Sequence, residues 1–108
     1  MGTMSQQQQL LKQKISIPEI LRTYGKQFTQ IRKRYSDGHD GRCAIGVIMS
    51  HHGWNGKDDP DAGRRLLATL VELRHAGIGK GLLIKLNDSG YTFNEIADYL
   101  DRIGHKSS

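Results

Sequence analysis

The chain holds one cysteine, Cys43, among 108 residues, so no intrachain disulfide can form. A lone thiol points to a reducing compartment, and the cytoplasm is the expected location. Apolar runs are short, Val47-Ile48-Met49 among them, and none can span a bilayer. Hydrophobic residues are only 36% of the chain and mean hydropathy is −0.58, so the core must be modest. The glutamine-rich opening lacks the apolar stretch of a secretory signal. A myristoylation motif beginning at Gly2 fails because Gln6 stands where Ser or Thr is needed. No internal repeat is evident. No membrane partner is expected from these features. Charged residues make up 25%, ordinary for a globular domain, so one folded unit is expected rather than disorder.

What is present is an uneven charge. Residues 1–35 carry seven bases and one acid, Glu19, a balance of +6, while the rest of the chain sums to −1. A localised basic surface attracts phosphate groups or an acidic protein, and a solvated helix face is the plainer reading.

Residues 1–15 read as a flexible glutamine-rich segment and 16–108 as a single helical domain. Ser16-Ile17-Pro18-Glu19 is a capping box with proline at the start of a helix. Apolar residues then fall at Ile17, Leu21, Tyr24, Phe28, Ile31 and Tyr35, a 4-3-4-3-4 stripe that predicts one long helix. Its apolar face packs into the core or, as the sharper alternative, forms a homodimer seam. Ser36 to Gly41 is a turn cluster. Arg42 to Ser50 is apolar nearly all round; a short buried helix capped by Asp40 is favoured over a strand, with Gly46 admitting a second helix closely. Asp59-Pro60 opens a further helix with Leu66, Leu67, Leu70 and Leu73 as its core face and Gly77 as its stop. A short helix follows over about Lys80 to Leu86. Thr92-Phe93-Asn94-Glu95 is a second capping box, opening a helix that buries Phe93, Ile96, Ala97, Leu100 and Ile103 and ends at Gly104. The expected fold is all-α, a compact bundle of about five helices. Its core is Leu21, Tyr24, Phe28, Ile31, Ile45, Ile48, Leu66, Leu70, Leu83, Ile96 and Leu100.

Several chemistries fail on spacing. Gly77-Ile78-Gly79-Lys80-Gly81 lacks the leading glycine and the final hydroxyl of a phosphate loop. Aligning Gly90 with the invariant glycine of a calcium loop puts Lys85 and Ile96 at ligand positions, which neither can serve. His39, Cys43, His51, His52, Asp58, Asp59 and Asp61 cluster in sequence, yet no pair has the usual zinc spacing, so neither a metal nor any other cofactor is assigned. Cys43 with His39 or a more distant histidine such as His51 as base is the thiol reading, against a small buried hydrophobe; no catalytic residue is assigned. Trp54 is a binding platform or a loop anchor.

Two stretches resemble known families. Leu86-Asn87-Asp88-Ser89-Gly90-Tyr91-Thr92, followed by Glu95-Ile96-Ala97, Leu100 and Gly104, resembles the opening half of a recombinase-type helix-turn-helix. That family next supplies a recognition helix for the major groove, where His105 to Ser108 stand here. Cys43-Ala44-Ile45-Gly46, Asn87-Asp88 and the Phe93…Ile96-Ala97…Leu100 helix together resemble a family of small phage and bacterial proteins of unknown function. Leu86 replaces the aromatic usual before its Asn-Asp pair. This second resemblance implies a helical fold and no activity.

Two function classes remain. One is a non-enzymatic binding or regulatory protein whose Arg22, Lys26, Arg32, Lys33 and Arg34 meet nucleic-acid phosphates or an acidic protein. The other is a Cys/His-dependent enzyme or metal-binding protein centred on Cys43. Replacing Cys43 by alanine separates them. Four phosphates contacted would give a log–log salt slope of about −3 to −4.

Overall fold

The computed structural model describes the backbone of residues 15–107 and side chains as far as Gly104. Most of the segment read as flexible therefore lies outside the described residues; Ile15, its last residue, packs half-buried against the core. Five α-helices are described: α1 (Ile17–Thr23), α2 (Ala44–His51), α3 (Pro60–His75), α4 (Lys80–Asp88) and α5 (Phe93–Ser107). They form one globule with a two-stranded parallel sheet, β1 (Thr29–Gln30) and β2 (Gly41–Arg42), so the all-α expectation needs correcting.

Local capping chemistry places most helix starts. Asp59 accepts hydrogen bonds from the Asp61 and Ala62 amides and Pro60 begins α3, while Gly77 follows its end at a φ of +72°. Thr92 and Glu95 make the full reciprocal box: the Glu95 amide donates to Thr92 Oγ1 at 3.1 Å and the Thr92 amide to Glu95 Oε1 at 2.9 Å. At α1 only half the box forms, because Glu19 turns to Arg22 instead. Helix α5 runs through Gly104 to Ser107, three residues beyond its expected stop.

The long first helix is the largest departure. α1 ends at Thr23, a 3-10 turn covers Gly25–Gln27, and the chain then extends into β1. Gly25 lies under the Phe93 ring, where a Cβ would come within 2.8 Å of it, so the chain turns here to let α5 close over α1. Tyr24, Phe28 and Tyr35 still pack against the core, half-buried, but from a winding segment rather than one helix face. A dimer seam along 17–35 has no continuous helix to use. The Thr29 amide donates to Asp40 O and the Ile31 amide to Arg42 O, so β1 finds its partner across the turn cluster.

Helix α2 is the buried centre of the molecule, with every residue from Ala44 to Met49 buried. Its N-cap is Cys43, not Asp40, because the two preceding residues are taken by β2. The group that approaches Gly46 is a loop carbonyl rather than a helix: a Cβ there would collide with Tyr35 O. Of the expected core, Leu21, Ile45, Ile48, Leu83, Ile96 and Leu100 are buried. Tyr24, Phe28, Ile31, Leu66 and Leu70 are only half-buried, and of the four α3 leucines Leu73 alone is buried.

Candidate phosphate-binding loop

The five basic residues singled out in the sequence fall in three places, and only Arg22 is on an α-helix. Arg22, on α1, donates to Asp98 Oδ1 at 2.8 Å and to Asp101 Oδ2 at 2.7 Å, closing α1 onto α5. Hydrogen bonds to Asp98, then Asp101, hold its pKa above the ordinary value, so this cation is already neutralised within the fold. Lys26 is exposed on the 3-10 turn. Arg32, Lys33 and Arg34 stand together, all exposed, on the loop between β1 and the turn cluster. Among the described residues none of these three side chains makes an ion pair.

That loop is held from below. Gln30 Nε2 donates to Asn87 Oδ1 at 2.8 Å and to Tyr91 O at 2.6 Å, while its Oε1 accepts from the Phe93 amide. Asn87 is 1% exposed; its Oδ1 also accepts from the Ala44 amide at 3.1 Å, and its Nδ2 donates to Ile31 O at 2.7 Å. The Lys33 amide donates to Asp88 Oδ1, and Lys33 is the single described non-glycine residue with positive φ, +69°. The Cys-Ala-x-Gly and Asn-Asp stretches therefore meet through the Ala44–Asn87 bond, and Asn87 and Asp88 hold the loop through Ile31 O and the Lys33 amide. Composition could not reveal this hub, since asparagine at a helix end reads as turn chemistry.

Beside the loop lies a cavity of about 520 Å³, with Lys33, Arg34, Tyr35, Cys43, Ile45 and Leu83 among its lining residues. Cys43 is buried, and burial pushes its thiol pKa up against the opposing pull of the Gly46 and Ile45 amides. Cys43 is thus packed as a buried side chain in surroundings that favour the neutral thiol. No hydrogen bond joins it to His39, which is exposed. Among the described residues no three His, Cys, Asp or Glu side chains are grouped to hold a metal ion. Trp54 is a loop anchor: it is buried, and its Nε1 donates to Lys57 O. No helix among the described residues is long and apolar enough to cross a membrane.

The two neighbouring histidines make a separate cluster. His52 Nε2 lies 2.6 Å from Glu72 Oε1. His51 sits edge-on to the Tyr24 ring, with its Nδ1 buried and without a hydrogen-bond partner. Burial first, then the neighbouring His52, lowers the His51 pKa, with Glu72 opposing. The fold thus favours neutral His51. Its contribution to stability is complete above the ordinary imidazole value of about 6.5 and is lost as pH falls through the folded value. Tm should decline between pH 7 and pH 5, and a His51→Phe variant should decline less. Equal declines would exclude His51 as the source. The Asp37 and Asp61 carboxylates do not confuse this window. Backbone amides of His39 and Gly41 hold Asp37, and Arg65 and Arg64 hold Asp61, below the usual carboxylate range.

Compared with protein-family models, with curated proteins and with solved structures, the chain matches none.

Proposed function

We propose that the protein is a small non-enzymatic binding module that contacts nucleic-acid phosphates through the Arg32-Lys33-Arg34 loop. The observation that carries this reading is the contrast with Arg22. The Asp98, Asp101 and Asp61 carboxylates and the His39 carbonyl satisfy other arginines, whereas these three consecutive side chains are exposed and make no ion pair among the described residues. Three cations held on a pinned loop meet adjacent phosphates at a smaller ordering cost than three on a free tail. Phosphate contacts of this kind carry no sequence information, so binding is sequence-tolerant and driven by counterion release.

The test is titration of a labelled DNA duplex and a labelled RNA of equal length at several salt concentrations. Three phosphates neutralised give a log–log slope of about −3. Lys33 needs a residue tolerant of positive φ, so the informative variant is Arg32→Gln with Lys33→Asn and Arg34→Gln. Binding to every sequence should weaken together, and the slope should flatten towards zero. A triple variant that binds like the parent, or parental binding indifferent to salt, removes the loop as a phosphate contact.

A further inference from the structure

The solvent face of α3 carries a pattern that the phosphate reading does not use. At about 100° per residue, Arg64, Leu67, Val71 and Arg74 fall on one narrow stripe, and all four are exposed. Leu67 is 61% and Val71 47% exposed, in the middle of a face that is normally polar. Half-buried Leu66 and Leu70 widen the apolar sector beyond what α2, the main neighbour of α3, can cover. A contiguous apolar patch rimmed by charge is the usual mark of a docking surface.

We infer that this stripe docks an amphipathic helix from an acidic partner protein, two apolar residues of which pack on Leu67 and Val71 between carboxylates that pair with Arg64 and Arg74. Charge selects the occupant. Arg64 shares Asp61 with Arg65, one carboxylate between two guanidiniums, and Arg74 has no ion pair among the described residues. The stripe is symmetric in sequence, Arg64 preceding Leu67 by three residues and Arg74 following Val71 by three. A second copy packed antiparallel about the stripe's centre therefore sets Arg64 against Arg74, and a parallel copy sets each arginine beside itself. Both arrangements juxtapose like charges at an apolar contact, which is costly. A helix with carboxylates spaced as the arginines are, ten residues and about 15 Å apart, meets both cations at once.

Two synthetic helical peptides test this against the full chain by fluorescence anisotropy. One carries Glu, Leu, Leu and Glu at the spacing of the stripe, and the other replaces both glutamates by lysine. The glutamate peptide should bind at least tenfold more tightly. The R64E/R74E variant should reverse that preference. L67S/V71S should weaken binding of the glutamate peptide at least tenfold while leaving helix content and Tm unchanged, because both side chains are exposed. The loop variant of Arg32, Lys33 and Arg34 should bind the peptide like the parent, so this inference and the phosphate reading fail separately. Equal binding of the two peptides, or binding of neither, overturns the inference. So does concentration-dependent dimerisation abolished by L67S/V71S, which would make a second copy the occupant.

Discussion

Replacing Asn87 by leucine should cost about 3–5 kcal/mol of folding stability, a large share of the roughly 5–15 kcal/mol of an ordinary domain. Asn87 is the buried joint between three segments distant in sequence. Leucine is close in size but leaves the Ala44 amide at the start of α2 without its acceptor and Ile31 O without its donor, and it removes one of two acceptors of Gln30 Nε2. Each buried polar group left unpaired costs about 1–3 kcal/mol, which is how the total arises. The neighbouring Asp88→Asn change keeps an oxygen for the Lys33 amide and should stay within about 1 kcal/mol of the parent, as an exposed substitution does. Urea unfolding of the two variants is the measurement. A leucine variant as stable as the Asp88 control would show that the Asn87 bonds are not needed to hold the loop.

Arg42→Met should cost about 2–4 kcal/mol, and Arg42→Lys should recover little of it. Arg42 is 4% exposed, yet no carboxylate bonds it. Burial draws its pKa down, with Asp37 and Asp40 acting in the opposite direction from a distance. Its guanidinium donates to neutral oxygens instead: Nη1 to His39 O at 2.6 Å, Gly41 O at 2.8 Å and Ser36 Oγ at 3.0 Å, and Nε to Ser50 Oγ at 2.9 Å. It also lies over the Phe28 ring at 4.6 Å and the Trp54 ring at 5.4 Å. Methionine keeps the apolar stem and loses every donor, so the turn cluster should detach from α2. An ammonium cannot reproduce a planar fork that reaches four oxygens between two rings. Near-ultraviolet circular dichroism of Trp54 and urea midpoints should report both losses. Full rescue by lysine would reduce the role of Arg42 to its charge.

The starts of α3 and α5 were legible in the amino-acid sequence because each is decided within about four residues, unlike the start of α2, which the pairing of β2 displaces to Cys43. Thr92 with Glu95, and Asp59 with Pro60, satisfy the exposed amides of the first turn by themselves, and no distant group is consulted. The amphipathic face of α5 was legible for the same reason, since its spacing alone determines which side is apolar. The end of α1 was not. Tyr24, Phe28, Ile31 and Tyr35 have helical spacing, but Phe93 over Gly25 and the pairing of Thr29 with Gly41 turn the chain, and those partners lie up to 68 residues away in sequence. The basic residues were legible as a cluster and not as a surface. Only the closure of α5 on α1 takes Arg22 away, and only the bonds of Asn87 and Asp88 gather Arg32, Lys33 and Arg34 on one pinned loop. Burial was decided last of all. A charged Arg42 is costly to bury and Leu67 was expected in the core, yet the rings of Phe28 and Trp54 flank the buried arginine and Leu67 stands in solvent while Leu73 is buried. Hydrophobicity sets what a side chain gains from being covered; which neighbours arrive to cover it is a property of the assembled fold.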